Sequence, residues 1–372
     1  MVLNLKFMKK YIIVSTYPEN GSKNIGDQLI TNSLISAIKD IKGSDIIVDV
    51  IWRGDSWSNV EKRINSSDAI IFACLAIRPS MASKEYPYLK NILETKIPIH
   101  VVSAGTALNV DSDKFPIEKY VDQESKELLL DLDNRSVSFT TRGVLTQRFC
   151  EAIGMKATNF AGDVAFVEHE YTKLKFITGK EIKNIVISDP HYSINYINLL
   201  KCIYNNMRTY FPRANIKIAL HGNDQNVKNF AMEHNIDFVE IYKNKDDGLS
   251  IYDDVDLHVG FRVHAHVSTL KRRKYSYLLE QDGRGCDYGL TIERKISIPA
   301  YRKDTKTLLN RVKFKLFSKL NIPHAGVKAN IAEQMMALVL FDHKNDFRKF
   351  LGLEEQFKQF SLNIEEQIKT LP

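Results

Sequence analysis

Tyr11-Ile12-Ile13-Val14-Ser15, the polar turn Asn20-Gly21-Ser22-Lys23-Asn24-Ile25-Gly26-Asp27, and the run after it that carries Ile30, Leu34, Ala37, Ile38 and Ile41 on one face decide the fold. The first piece is a continuous apolar run of the kind buried on both faces of a parallel sheet. The last has helical spacing. A glycine-bearing turn between them leaves free backbone N–H groups and a positive helix end at the carboxyl edge of the sheet, where open α/β folds bind ligands. The turn is neither a GxGxxG fingerprint nor a P-loop, because the Lys-Ser/Thr pairing is missing. Asp27 reads equally well as a plain helix N-cap or first-turn acid.

The same unit recurs along the chain. Strands are expected at Ile46 to Ile51, Ala69 to Ala73, Ile99 to Ser103, Ser136 to Thr140 and Asn159 to Ala161. After a polar stretch around Tyr171 to Lys183 come Asn184 to Ser188, Ile216 to Leu220, Phe238 to Ile241, Leu257 to Val259 and Tyr275 to Leu279. Strand and helix in regular alternation predict an α/β protein with two Rossmann-like, doubly wound domains. The expected boundaries are 8–175 for the first, 180–303 for the second, and 304–372 for a helical tail that packs back on them.

Composition excludes several classes. The chain has 372 residues, of which 44% are hydrophobic and 26% charged, as in an ordinary globular protein. A net charge of +7 suits small anionic substrates or a lipid surface and is too weak to argue nucleic acid. No apolar run approaches the ~18 residues of a membrane-spanning helix. Lys9 and Lys10 precede too short an apolar run for an export signal. Cys74, Cys150, Cys202 and Cys286 are scattered, with no zinc spacing and no disulfide framework. The expected compartment is therefore the reducing cytoplasm. In the tail, Leu309, Val312, Leu316 and Leu320 share a face beside Lys306, Arg311, Lys313, Lys315 and Lys319. The segment Lys306 to Ile322 reads either as a helix packed on a domain or as a basic amphipathic helix in peripheral contact with anionic lipid at the inner face of the membrane.

Three further strand ends carry chemistry. Val259-Gly260-Phe261-Arg262-Val263-His264-Ala265-His266 joins a strand to a helix. Arg262 can grip a carboxylate or phosphate with two prongs, and a His beside that anion keeps its proton and can act as a general acid. Ser138-Phe139-Thr140-Thr141-Arg142 places another arginine at a strand end, which reads equally as an anion-binding group or as a surface arginine. Glu280-Gln281-Asp282-Gly283-Arg284-Gly285 is a polar turn whose glycines fit either a plain turn or close backbone approach to a ligand.

The order of these motifs resembles the polysaccharide pyruvyl transferases over about residues 11 to 290. Asn24-Ile25-Gly26-Asp27 resembles the family's Asn-x-Gly-Asp element, and Val102-Ser103-Ala104-Gly105 its central strand-and-glycine element. Arg142 matches the arginine-bearing strand end, and Ala161-Gly162-Asp163-Val164-Ala165-Phe166 the Asp-containing segment that follows. Gly260-Phe261-Arg262-Val263-His264 matches the Gly-x-Arg-x-His signature, the most specific of the five. The chain departs from the pattern at Cys74-Leu75-Ala76-Ile77-Arg78-Pro79-Ser80, which lacks the usual glycines, at Gly143, where Asp is usual, and at Lys271-Arg272-Arg273-Lys274, which replaces a Gly-x-Pro type of turn.

The resemblance implies a GT-B-like architecture in which two Rossmann-like domains face a cleft, the first on the acceptor side and the second on the donor side. It implies transfer of a pyruvyl group from phosphoenolpyruvate to a sugar of a cell-surface polysaccharide or its lipid-linked precursor, with phosphate released. His264 is then the expected acid. Arg262 and Arg142 are expected to hold anionic oxygens, and Asn24, Gly26, Asp27, Gly105 and Asp163 to line the substrate sites. The scheme needs no metal and no cofactor other than phosphoenolpyruvate as donor substrate. A GT-B glycosyltransferase using a nucleotide sugar, or a non-catalytic sugar- or anion-binding relative, is the alternative.

Overall fold

The computed structural model describes residues 8–17, 25–108, 116–244, 248–301, 327 and 330–372. Asn24 and the basic segment Lys306 to Ile322 lie outside the described residues. The chain divides into two compact units. The first includes Lys114–Lys173 and the sequence before Leu108, together with Phe357–Pro372; the second includes Leu174–Gln356.

The first unit is built on a seven-stranded sheet of β1 (Lys9–Ser15), β2 (Ile46–Trp52), β3 (Ala69–Ala73), β4 (Ala76–Ile77), β5 (Ile99–Thr106), β6 (Ser136–Thr141) and β7 (Thr158–Phe160). The order is β2-β1-β3-β5-β6-β7, with β4 beside β5, and every pair is parallel. All five residues of β3 and all eight of β5 are buried, which is why β3 runs apolar without alternation. The helix Ile25–Lys42 covers one face through Ile30, Leu34, Ala37 and Ile38, with Tyr11, Ile13 and Ile71 beneath it.

The second unit carries β8 (Asn184–Ser188), β9 (Asn215–Ala219), β10 (Asp237–Val239), β11 (Leu257–Gly260), β12 (Tyr275–Glu280) and β13 (Ser297–Pro299). Their order is β10-β9-β8-β11-β12-β13, again all parallel. Both sheets are therefore doubly wound. In each, consecutive strands run outward in one direction and then in the other, so that adjacent strands part at a switch point: β1 and β3 in the first unit, β8 and β11 in the second.

The expected strands are present, most with ends shifted by a residue or two. β5 continues to Thr106, past the expected end at Ser103, because Gly105 N–H bonds to Leu75 O beside β4. β4 and β13 were not expected; runs of two and three residues are too short to show a period.

The residues expected as one tail divide between the units. The helix Ile331–Lys344 packs on the helix Ser193–Tyr210 and on β12 and β13 of the second unit. The last helix, Glu354–Lys369, contributes Ile364 and Ile368 to the core of the first unit. Its Gln367 reaches the sheet, with Nε2 donating to Val101 O at 2.8 Å and Oε1 accepting from Thr140 Oγ1 at 2.7 Å. Phe360 lies where any Cβ on Gly162 would stand, and Gly162 has φ +97°, so this position requires glycine twice over.

Three histidines are buried within the two sheets and the helix after β11. His100 Nδ1 is 2.9 Å from Ser138 Oγ, and its Nε2 has no partner among the described residues. His258 and His266 share Ser276 Oγ through their Nδ1 atoms, at 2.7 Å each. Burial pushes His100 down to about 4, with Lys42 adding to the effect, and His266 to about 3. His258 is lowered well below 6.5 by burial and by His266. A base depressed in the folded state binds protons more readily once unfolded, so stability is full above about pH 6.5 and falls as the pH drops toward those lower values. The melting temperature should therefore decline between about pH 7 and pH 5, and His100→Asn should flatten that decline. An unchanged slope in the variant would show that His100 titrates normally.

Candidate active site

At the switch point of the second unit, β11 lies against β8 so closely that a Cβ on Gly260 would run into Ser188. Glycine is required there by close approach. The Ser188 hydroxyl accepts from Arg262 N–H at 3.2 Å and lies 2.9 Å from His258 Nε2, so the turn leaving β11 is held by the end of β8.

Arg262 occupies the N-cap position of the helix Val263–Lys271 with extended backbone, φ −92° and ψ 117°. Its fork closes on Asp189, the residue after β8: Nε donates to Oδ1 at 2.9 Å and Nη2 to Oδ2 at 2.7 Å. Asp189 has no solvent exposure. Burial pushes its carboxyl above the ordinary range while the guanidinium and the His221 N–H pull it down. The two-pronged grip expected for a substrate is thus made to Asp189. Nη1 is the remaining edge, 3.3 Å from His191 Nδ1.

His264 stands in the first turn of the same helix, half-buried, and its charge acts with that of Arg262 on His221. His266 points into the core, where it bonds to Ser276. The neighbouring turn is tied in by Gln281, whose Nε2 donates to Phe261 O and whose Oε1 accepts from His191 N–H, both at 2.9 Å. Asp282 caps the helix Gly283–Thr291 and pairs with Arg284 at 2.6 Å. A Cβ on Gly285 would stand 2.9 Å from Glu280 Cα, so this glycine serves backbone-to-backbone packing.

The first unit gathers its own group at the edge of β3, β5 and β6. Arg142 is only 7% exposed; its guanidinium lies flat on Gly105, where any side chain would displace it, and Nη1 is 3.4 Å from Cys74 Sγ. Cys74 follows β3 with φ +53°, a left-handed conformation held in part by its N–H bond to Val102 O. Burial pushes its thiol up to about 11; Arg142 pulls down, and Asp163 and Asp27 push further up. Three of the expected residues, Arg142, Asp163 and Asp27, therefore act on one cysteine, and a fourth, Gly105, lies against the arginine. Asp27 lies in the first turn of the helix Ile25–Lys42, where Gly26 is buried. Asp163 is buried, with one carboxylate oxygen capping the turn Val164–Phe166 through Ala165 N–H at 2.8 Å.

Sequence reasoning missed several members of both groups. Arg53, after β2, pairs with Glu85 and lies over the Tyr86 ring at 5.5 Å, and the Asp27 charge reaches it. The Tyr86 hydroxyl accepts from Ala76 N–H at 2.8 Å, so the stretch that departs from the glycine-rich pattern is a short strand braced by a tyrosine. In the second unit, Asp189, His221 and Tyr252 were missed. Asp189 carried a usable signal, an acid directly after the buried run Ile185–Ser188. His221 and Tyr252 carried none, since they meet only in space.

The family described as "Polysaccharide pyruvyl transferase" matches residues 24–274, more than half of the chain. The chain belongs to the polysaccharide pyruvyl transferase family. Among curated proteins no match is found. Among solved structures, a Staphylococcus aureus protein titled "MnaA-UDP co-structure" is 9% identical, with a TM-score of 0.50 over 92% of this chain and 98% of that one. A UDP-GlcNAc 2-epimerase from Methanocaldococcus jannaschii, in complex with UDP-GlcNAc and UDP, is 12% identical, with a TM-score of 0.45 over 90% of this chain and 100% of that one. At such identity the first likeness shows the fold alone: this pyruvyl transferase family member has the GT-B-like pair of parallel-sheet α/β units.

The Arg262–Asp189 pair makes a stability prediction for this transferase. Removing one partner of a buried ion pair strands the other charge. Arg262→Ala should therefore lower unfolding free energy by about 3–5 kcal/mol, with Arg262→Ala/Asp189→Asn recovering part of the loss. Chemical denaturation checks it, and a single variant as stable as wild type would count against a structural role for the pair.

Proposed function

We propose that the protein transfers the pyruvyl group of phosphoenolpyruvate to a sugar of a cell-surface polysaccharide or its lipid-linked precursor. The observation that carries this reading is the Arg262 and His264 pair at the β8/β11 switch point of a chain in this family. Phosphoenolpyruvate carries a carboxylate, a phosphate and an electron-rich methylene carbon. Arg262 offers Nη1 to an anionic oxygen and supplies fixed positive charge. His264 delivers a proton to the methylene, which becomes a methyl group, and the adjacent carbon takes on oxocarbenium character. One acceptor hydroxyl attacks that carbon and loses its proton. The C–O bond to phosphate then breaks, and a second hydroxyl attacks and loses its proton to close a cyclic ketal. In the first unit Arg142, Gly105, Asp27 and Asp163 form the acceptor side, with the carboxylates orienting sugar hydroxyls.

Three measurements test this reading. Phosphate release from phosphoenolpyruvate should depend on a glycan acceptor, and the product glycan should gain a pyruvyl ketal by mass spectrometry. Release of the nucleotide from a nucleotide sugar, with transfer of the sugar to the glycan, would favour a glycosyltransferase instead. His264→Gln should lower kcat by roughly 10²- to 10⁴-fold, while His266→Gln, a core substitution, should act mainly on stability. Near-normal kcat in His264→Gln would remove the acid from the scheme.

A lipid-linked acceptor is part of the same reading, and the basic segment Lys306 to Ile322 motivates it from sequence. No helix among the described residues is long and apolar enough to cross a membrane. The protein should sediment with anionic vesicles more than with neutral ones, and added salt should release it. Equal, negligible binding to both would leave a packed helix as the only account.

A further inference from the structure

His221 stands directly behind the Arg262–Asp189 pair. It follows β9 by two residues, and its main-chain N–H donates to Asp189 Oδ1 at 3.0 Å. The next residue, Gly222, lies close enough that a Cβ there would stand 3.9 Å from Arg262 Nη2. The carboxylate that orients the arginine therefore also fixes the His221 backbone beside it.

The tautomer follows from Tyr252. Its hydroxyl is 2.7 Å from His221 Nε2, and Tyr252 has no solvent exposure. A buried phenol has to place its own proton, and among the described residues Nε2 is its hydrogen-bond partner. Tyr252 thus donates, Nε2 accepts, and the single proton of the neutral ring sits on Nδ1. Nδ1 has no hydrogen bond among the described residues, and His221 as a whole is partly exposed. Around the ring stand Arg262 and His264 from the turn after β11, His258 from β11 itself, Tyr252, and Asp189 with Asp224 beyond it. Burial first, then Arg262, His264 and His258, hold His221 well below its ordinary range. A neutral N–H donor fixed beside an arginine can stabilise charge on an anion without exchanging a proton.

We propose that His221 is a substrate-binding group of the second unit, a neutral imidazole whose Nδ1–H, set by Tyr252, donates to an anionic oxygen of the donor beside Arg262. The identity of that donor as phosphoenolpyruvate rests on the function proposed above. The division of labour is specific: His264 moves the proton, and His221 holds charge.

Nitrogen-15 spectra of the histidine side chains in the full-length protein, with the signal assigned by its absence in His221→Gln, read the tautomer directly. The expected result is an Nδ1–H tautomer that does not titrate from about pH 5.5 to about pH 8.5. Tyr252→Phe should release Nε2, giving mixed tautomers or a titrating ring. Inorganic phosphate, used as probe, should shift the wild-type Nδ1 signal, and an adjacent Arg262→Lys substitution should weaken that shift. In turnover, His221→Gln should raise KM for phosphoenolpyruvate by roughly tenfold or more with a smaller change in kcat. An Nε2–H tautomer, an ordinary titration near pH 6.5, or no response to phosphate would overturn the inference. Loss of the pyruvyl-transfer reading alone would appear differently, as no turnover of phosphoenolpyruvate with the tautomer and phosphate response intact.

Discussion

Asp189 has no solvent exposure, and a carboxylate in such a place must be surrounded by donors. The donors come from two strand ends, Arg262 from β11 and the His221 N–H from β9, and Asp189 itself directly follows β8. One buried charge therefore sets the relative positions of the groups along the carboxyl edge of the second sheet. Buried ion pairs are weak sources of net stability compared with packed apolar groups, since desolvation offsets most of their attraction. Their value here is orientation: two hydrogen bonds hold the guanidinium fork, and His264 follows it by two residues in the first turn of the helix.

The first unit reaches an equivalent order by other means. Ser103, with φ +56°, donates its hydroxyl to Gly162 O at 2.8 Å and accepts from Val164 N–H at 3.0 Å. That hydroxyl pins the Asp163 turn onto β5. Gly105 leaves a flat surface on which Arg142 rests, and the same arginine approaches Cys74. The last helix completes the arrangement, because Phe360 packs on Gly162 and Phe357 stacks on Phe166 with centroids 4.3 Å apart. Residues some two hundred positions away thus support the turn that carries Asp163.

Much of this was legible in sequence because buried parallel strands advertise themselves. Ile12-Ile13-Val14 and Ala69-Ile70-Ile71-Phe72 are apolar at every position, and the helix after Asp27 repeats its apolar residues at helical spacing. Candidate residues could then be found by looking at strand ends, which is where Arg142, Asp163, Arg262 and His264 lie. The period rule missed β4 and β13, which are shorter than any period, and only the folded chain separates His266, whose side chain faces the core, from its neighbour His264.

The sequence by itself determined the fold class, the two parallel sheets and the strand ends that carry the arginines, since each follows from local patterns of burial and turn chemistry. Tertiary structure decided what those residues do. Whether Arg262 faces a ligand or a carboxylate depends on Asp189, 73 positions away in the chain. Whether His221 donates from Nδ1 or Nε2 depends on Tyr252, 31 positions away. The last helix joins the first unit because its apolar face, Ile364 and Ile368, fits the sheet beside Tyr11 and Ile71. Hydrogen bonds and packing between distant residues have no sequence period, so only the folded chain brings their partners together.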